Sequence, residues 1–233
     1  MIGGWGSDLN MWKLQLPTFR KHFGVIVFDN RGAGKSDKPP GPYSMKGMAD
    51  DAIGLLDYLK IDKASVLGYS MGGAIAQEIA INYPQRVTKL VLCNTACCAD
   101  AESGFTDEAR SLFELPPLKY RIKLLSLVFD SPILRFTEFV RRSLKSSKVS
   151  LQGYQAQGAG IVRHNTLKRL HLIKAPTLVV VGTNDRLVRK SSSAVLAARI
   201  PQAKLAEVRD GSHDMCFEKS KEFNTEIVNF LKV

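Results

Sequence analysis

The sequence lacks the features that mark membrane-spanning proteins, secreted proteins and zinc proteins. It contains no run of about 18 consecutive apolar residues, which argues against a transmembrane helix. It has only four cysteines and four histidines, and no C-x-x-C pair, so no metal site is expected. Met1-Ile2 leads straight into Gly3-Gly4-Trp5-Gly6 without the basic stretch and apolar core of a signal peptide. We therefore predict a cytoplasmic protein whose cysteines are free thiols.

The positive charge of the chain is concentrated in one region. The formal net charge is +11, and between Arg110 and Lys174 thirteen lysines and arginines stand against three acids. An excess of basic over acidic residues can indicate nucleic acid or an anionic membrane as a partner. Because the remainder of the chain is close to neutral, we predict no nucleic-acid partner and no stable membrane insertion. Two interpretations of the basic region stay open: a solvated outer face, or a surface that attracts anionic substrates or an anionic membrane surface.

Strand and helix patterns alternate along most of the 233 residues. Short runs rich in apolar residues predict strands at 25–28, 64–68, 87–93 and 177–181, and 204–208 is predicted as a further short strand. Helical patterns fall at 44–60, 71–82, 191–200 and 220–231. Continuously apolar strands that alternate with helices are typical of a parallel sheet covered on both faces. We therefore predict an α/β protein with a mostly parallel, doubly wound sheet.

The alternation breaks over 99–166, where the patterns are helical throughout. Thr106 can cap a helix whose first turn holds Asp107 and Glu108, and Ser131-Pro132 is typical of a second helix start. We predict an all-helical cap at 99–166, inserted between core segments 1–98 and 167–233. Its larger apolar residues either line a substrate pocket or, for most of them, form the cap's own core: Phe113, Leu125, Phe129, Phe136 and Phe139.

Gly68-Tyr69-Ser70-Met71-Gly72 fits the pattern G-x-S-x-G between a buried strand and a buried helix. A serine at such a sharp turn exposes its hydroxyl at the carboxyl end of the strand, and the flanking glycines relieve crowding. Serine is a weak nucleophile and needs an adjacent base that a third group holds in place. Ser70 is the predicted nucleophile.

The base and the acid are expected in loops that follow other strands. His213 lies in a loop between the last strand and the last helix, whereas His22, His164 and His171 suit surface or packing roles better. Asp185 directly follows the strand at 177–181. Its rivals are weaker, since Asn94 carries no charge and the Asp214 side chain would usually point away from the neighbouring ring. We predict His213 as base and Asp185 as acid.

These motifs, in this order, resemble the α/β-hydrolase superfamily over essentially the whole chain, in its lidded carboxylesterase, lactonase and C–C hydrolase branch. The segment 28–36 is similar to the D-x-R-G-x-G-x-S loop of that family. Gly34-Lys35-Ser36 could also end a phosphate-binding loop. That motif needs glycine five positions before Gly34, where this chain has Asp29, so the alternative is excluded. Asp29 and Arg31 are instead expected to brace the loop beneath the site.

The resemblance also implies an oxyanion hole formed by the backbone N–H groups of Trp5 and Met71. Gly3 stands where the family usually has histidine, and the chain starts close to this loop. We therefore expect the N-terminal strands of the family fold to be shortened or missing. The exposed sheet edge that results would favour a homodimer or leave a lone monomer unstable.

The function that the resemblance implies is hydrolysis of small to medium carboxylic esters through an acyl-enzyme, without a cofactor or metal and with a small-molecule ester as partner. Two alternatives remain. One is different chemistry on the same triad, as in an enol-lactone or C–C hydrolase, a perhydrolase or a lysophospholipase. The other is a ligand-binding protein that retains the hydrolase fold.

Overall fold

The computed structural model describes residues 1–100, 104–111, 117–133 and 151–232. Within these residues, four strands form one parallel sheet in the order of the sequence: β1 (Ala64–Tyr69), β2 (Val87–Cys93), β3 (Thr177–Gly182) and β4 (Ala203–Val208). Tyr69 is in register with Cys93, and Cys93 with Val180. Because the strands are parallel, their carboxyl ends meet at one edge of the sheet.

Helices connect and cover these strands. Their bounds in the described residues are α1 (Leu16–Phe19), α2 (Met45–Tyr58), α3 (Met71–Asn82), α4 (Asp107–Arg110), α5 (Pro117–Val128), α6 (Leu151–Arg163), α7 (Lys190–Arg199), α8 (Met215–Glu218) and α9 (Ser220–Lys232). Short 3-10 segments lie at Leu9–Trp12, Pro84–Arg86 and Leu167–Leu172.

Alternate strand residues enter two separate hydrophobic cores, one on each face of the sheet. One core joins Leu90 and Leu92 of β2 to α2, α3 and α7. The other joins Val91 and Cys93 of the same strand to Trp12, α1, α8 and α9. Helices thus cover both faces of the sheet, and the predicted α/β fold class is confirmed.

The predicted strands 64–68, 87–93, 177–181 and 204–208 match β1 to β4 within a residue. The helix after Ser70 has the predicted bounds. Ser44 caps α2, as its Oγ accepts a hydrogen bond from Gly47 N at 3.0 Å. Thr106 Oγ1 likewise caps α4 by accepting from Ala109 N at 3.1 Å.

The predicted strand at 25–28 was wrong, since these residues form no ladder with another strand. Met1 and Ile2 lie between this segment and β1. Ile2 N donates to Leu67 O at 2.8 Å on one side, and the amino group of Met1 donates to Ile26 O at 2.7 Å on the other. A ladder requires a series of backbone hydrogen bonds between two strands, and the single bond at Ile26 O does not form one.

The described parts of 99–166 hold α4, α5 and α6, two helical residues at 132–133 where a helix start was predicted, and bridges at Phe105 and Asn165. Leu125 and Phe129 are buried with Val128 in one cluster, against Leu187 and Phe217 of the core. Phe113, Phe136 and Phe139 lie outside the described residues, so their part of the expectation stays a prediction, as do the bounds of the cap. No helix among the described residues is long and apolar enough to span a bilayer.

Candidate active site

Ser70 occupies the sharp turn between β1 and α3. Its backbone lies at φ 55° and ψ −120°, a region that residues other than glycine rarely adopt. Hydrogen bonds hold the strained Ser70 backbone at both its amide and its carbonyl: Ser70 N donates to Cys93 O at 2.9 Å, and Thr95 Oγ1 donates to Ser70 O at 2.7 Å. The turn therefore places a partly exposed hydroxyl at the carboxyl edge of the sheet.

The flanking glycines allow a close approach of three chain segments. A Cβ placed on Gly68 would lie 2.2 Å from Gly72 O, and one on Gly72 would lie 2.1 Å from Ile2 O. Atoms cannot approach that closely without a shift of the backbone. The G-x-S-x-G spacing is thus a packing requirement of the turn as well as a sequence motif.

His213 and Asp185 reach the same edge from loops after β4 and β3. His213 Nε2 lies 3.0 Å from Ser70 Oγ, and His213 Nδ1 lies 2.8 Å from Asp185 Oδ2. The other carboxylate oxygen accepts hydrogen bonds from Leu187 N at 2.8 Å and Val188 N at 2.9 Å. The structure therefore brings the three predicted residues into one hydrogen-bonded series, in which both Asp185 oxygens have partners.

The charge balance favours protonation of the buried imidazole. Burial by itself lowers the pKa of His213, but the nearby Asp185 carboxylate, its hydrogen bond and the charge of Asp214 raise it, and the net pKa lies above its ordinary value of 6.5. The Asp185 side chain is only 1% exposed, so solvent screens this pair weakly. A ring in this setting can take up a proton at Nε2 while Nδ1 stays bound to a carboxylate.

Asn94 supports both loops, a role that sequence reasoning missed. Its Nδ2 donates to Ser212 O and to His213 O, both at 3.0 Å, while its Oδ1 accepts from Gly182 N at 2.9 Å. Tyr69 adds a hydrogen bond from its hydroxyl to His213 O. A neutral amide offers donors and an acceptor at once, which an ionised carboxylate does not, so the lack of charge that weakened Asn94 as a candidate acid suits it to this position.

The other three histidines take different places. His22 and His171 are exposed. His164 is buried with Nδ1 3.8 Å from Glu78 Oε1, and burial lowers its pKa to about 4. Among the described histidines, His213 is therefore the one whose ring meets Ser70.

The loop that holds Trp5 lies directly against Ser70. A Cβ placed on Gly4 would be 3.3 Å from Ser70 Cβ, and Gly3 O accepts from Asn30 Nδ2 at 3.0 Å. Beneath the loop, the Asp29 carboxylate accepts from Leu9 N and from Lys35 N, both at 2.7 Å. Asp29 thus links the segment after this loop to its own loop, in agreement with the expected bracing role, whereas the Arg31 side chain pairs with Asp51. Met71 N begins α3, where the first N–H groups of a helix have no partner within it.

All four cysteines are buried, and none of the four forms a disulfide. Cys97 Sγ and Cys98 Sγ lie 3.7 Å apart, and burial is the main cause that raises the pKa of Cys97 to about 12. In the part of the chain that the structure describes, no group of three or more histidine, cysteine, aspartate or glutamate side chains could hold a metal ion.

Residues 1–146 match the family model of the alpha/beta hydrolase fold. The chain belongs to the α/β-hydrolase family. This α/β-hydrolase is 30% identical to 3-oxoadipate enol-lactonase 2 of Acinetobacter baylyi over 97% of its own length and 85% of that protein. It is 31% identical to the poly(3-hydroxyalkanoate) depolymerase of Ectopseudomonas oleovorans, over 91% of its own length and 76% of the relative.

Among solved structures, the enol-lactonase from Burkholderia xenovorans LB400 superimposes with a TM-score of 0.86 at 29% identity, covering 100% of this chain and 90% of the other. The sequence and the fold therefore agree on a hydrolase of the α/β-hydrolase family.

Proposed function

We propose that this α/β-hydrolase cleaves carboxylic esters of small to medium size by acyl transfer to Ser70. The observation that carries the proposal is the hydrogen-bonded series from Ser70 Oγ through His213 to Asp185, with contacts of 3.0 and 2.8 Å. A hydroxyl, an imidazole and a buried carboxylate in this order form the arrangement that activates serine for attack on a carbonyl carbon.

In the first half of the reaction, Ser70 Oγ attacks the ester carbonyl while His213 Nε2 accepts the serine proton. Asp185 stabilises the imidazolium through the contact at Nδ1. The tetrahedral intermediate then collapses, the bond to the alcohol breaks, and His213 returns the proton to the departing oxygen. The products of this half are a free alcohol and an acyl-enzyme on Ser70.

In the second half, water attacks the acyl carbon while His213 again accepts the proton. Collapse of this intermediate releases the carboxylic acid and restores the Ser70 hydroxyl. In both halves the carbonyl oxygen gains negative charge, which the backbone N–H groups of Trp5 and Met71 would stabilise. The close approach of Gly4 to Ser70 and the position of Met71 at the start of α3 support these two donors.

Lactones are the second candidate substrates. Two relatives are named enol-lactonases, and the third is named a poly(3-hydroxyalkanoate) depolymerase. A lactone is an ester whose acid and alcohol belong to one molecule, so the same two steps open its ring. The two enol-lactonase names therefore support a lactone beside an ester as the substrate.

Labelling and activity together test the proposal. A fluorophosphonate should modify the wild type at Ser70 alone, and Ser70→Ala should lose both the label and the hydrolysis of p-nitrophenyl esters while it keeps its fold. Ser65→Ala is a matched control, because Ser65 lies on the same strand with an exposed side chain that bonds Thr88 at 2.9 Å.

A panel of p-nitrophenyl esters from acetate to palmitate, one lactone and one carbon–carbon substrate ranks the bond types. Labelling at another residue, or an active Ser70→Ala variant, would refute the assignment of the nucleophile. A folded wild type that hydrolyses none of these substrates would favour the ligand-binding alternative.

A further inference from the structure

We propose that Gln157 of α6 is a positioning residue that fixes the oxyanion loop Gly3–Gly6. This inference rests on the proposed function, because it takes the N–H of Trp5 as an oxyanion donor. Gln157 is fully buried, although it lies in a segment with many exposed residues. Its Oε1 accepts from Gly6 N at 2.9 Å, and its Nε2 donates to Arg31 O at 2.7 Å.

Both ends of the Gln157 amide are specified by their partners. The oxygen faces an N–H group and the nitrogen faces a carbonyl, so neither a carboxylate nor an apolar side chain can make both contacts. The residue therefore links the oxyanion loop to the loop of Asp29 and Arg31. A buried glutamine with two such partners is a connector between segments rather than a surface residue of a helix.

Trp5 contacts the same face of α6. Its ring stacks on Tyr154 with a centroid distance of 4.4 Å and an angle of 17° between the planes, and its Nε1 donates to Tyr154 O at 2.8 Å. A Cβ placed on Gly158 would lie 2.5 Å from Trp5 Cζ2. Residues 154, 157 and 158 are neighbours on one helix face. That face contacts the indole ring of Trp5 and the backbone that follows it.

The anchors act on the peptide units before and after the Trp5 α-carbon. The Trp5 N–H belongs to the same planar unit as Gly4 O, so the N–H points away from that carbonyl. Gly4 O accepts from Ser7 Oγ at 2.7 Å and from Ser7 N at 3.3 Å, which fixes this first unit. Gln157 fixes the next unit through Gly6 N. Without Gln157, the loop keeps its contacts at Gly3 O and Gly4 O, but the peptide unit that follows Trp5 loses the side chain that binds Gly6 N.

A misdirected Trp5 N–H weakens stabilisation of the transition state more than it weakens substrate binding. Removal of an oxyanion donor typically lowers kcat by about 10²–10³-fold. Loosening a donor should cost less, and we expect kcat of Gln157→Met to fall by about 10–100-fold with little change in KM. Gln157→Glu keeps an acceptor for Gly6 N, so its kcat should lie between those of the wild type and Gln157→Met.

Gln77 of α3 provides a matched control. It is also fully buried, and its amide also uses both ends: Nε2 donates to Ala96 O at 3.0 Å, and Oε1 accepts from Thr166 Oγ1. Gln77→Met therefore removes equivalent hydrogen bonds without a contact to the oxyanion loop. We expect it to lower Tm and to leave kcat close to that of the wild type.

The experiment measures Tm, kcat and KM of a p-nitrophenyl ester for the wild type and the three variants, together with inhibition by a trifluoromethyl ketone. This ketone forms a serine adduct that carries an oxyanion, so its Ki should rise in parallel with the loss of kcat in the Gln157 variants. An equal loss of kcat in Gln77→Met, or an unchanged kcat and Ki in Gln157→Met, would overturn the inference.

Two further results remain informative. If Gln157→Met does not fold, Gln157→Glu decides: a wild-type kcat and Ki overturn the inference, and a parallel change in both supports it. A wild type without Ser70-dependent hydrolysis would refute the proposed function and this inference with it. An active wild type with unaffected Gln157 variants would refute this inference alone.

Discussion

Asp185→Asn should nearly abolish turnover while the fold is kept. The asparagine oxygen can still accept from Leu187 N and Val188 N, which leaves its NH₂ group facing His213 Nδ1. An NH₂ group is a donor, so Nδ1 must then act as an acceptor and the ring proton moves to Nε2. In that tautomer, Nε2 cannot take the proton of Ser70. The same substitution in a serine protease lowers kcat by about 10⁴-fold, which is roughly 5.5 kcal/mol of barrier.

The pH dependence provides a second measure of the same contact. In the wild type the pKa of His213 is raised above 6.5, so kcat/KM should fall as the pH drops through a value above 6.5. In Asp185→Asn burial still lowers this pKa, but the main group that raises it is gone. The acid limb of the residual activity should therefore move to lower pH.

The pH dependence of folding stability follows from the same shift in the pKa of His213. A raised pKa in the folded state means that protonated His213 stabilises the fold, fully below the pKa of the unfolded chain and less as the pH rises through the folded value. The difference in free energy of unfolding between the wild type and Asp185→Asn should therefore shrink as the pH rises from acidic to mildly alkaline values.

The assay is steady-state hydrolysis of p-nitrophenyl acetate, with urea denaturation of the same samples. Asp214→Asn is the matched control, since it removes the same charge beside His213 without the contact at Nδ1. Its kcat should stay within about tenfold of the wild type, with a small downward shift of the acid limb. A nearly normal Asp185→Asn together with an inactive Asp214→Asn would show that the wrong carboxylate was assigned.

Two further substitutions test the frame that holds the site. Asn94→Ala removes the partner of Gly182 N and of Ser212 O and one of the two donors to His213 O, so the free energy of unfolding should fall by about 3 kcal/mol in urea titrations; the exposed Asn82→Ala should change it by about 0.5 kcal/mol or less, and equal losses would contradict the bridging role. Gly72→Ala should lower stability by about 1–3 kcal/mol or more, because its Cβ would lie 2.1 Å from Ile2 O; a wild-type Tm would refute the packing argument.

The sequence predicts the local structure around the site well. The apolar run 87–93 and the nearly all-apolar helix 71–82 have the predicted bounds, because burial on both faces leaves a continuous pattern that turn residues interrupt at each end. Ser70, Asp185 and His213 each follow a predicted strand. Parallel strands bring their carboxyl ends to one edge, so strand order alone indicates that these side chains can meet.

Partners that are distant in the sequence account for what was missed. The segment 25–28 has the composition of a strand, but a ladder also requires a series of backbone partners, and Ile26 O is bound by the amino group of Met1 alone. Asn94 is a plain loop asparagine until the His213 loop, 119 residues further along, supplies its acceptors. The role of Gln157 likewise depends on Gly6, a partner that is distant in the sequence. A side-chain amide shows its function only through its partners, which no local pattern encodes.

The contacts of α5 with the histidine loop complement those of α6 with the oxyanion loop. Directly after α5, Asp130 N and Ser131 N both donate to Glu218 Oε1 at 3.0 Å, and the other oxygen of Glu218 binds the hydroxyl of Ser212, the neighbour of His213. Asp214 N also donates to the last residue of α5 at 3.1 Å. Helices from the predicted cap thus contact the loop of the base and the loop of the oxyanion donor. A shift of these helices that broke either set of contacts would alter the position of a reacting group, so a change in the cap should affect kcat as well as substrate binding.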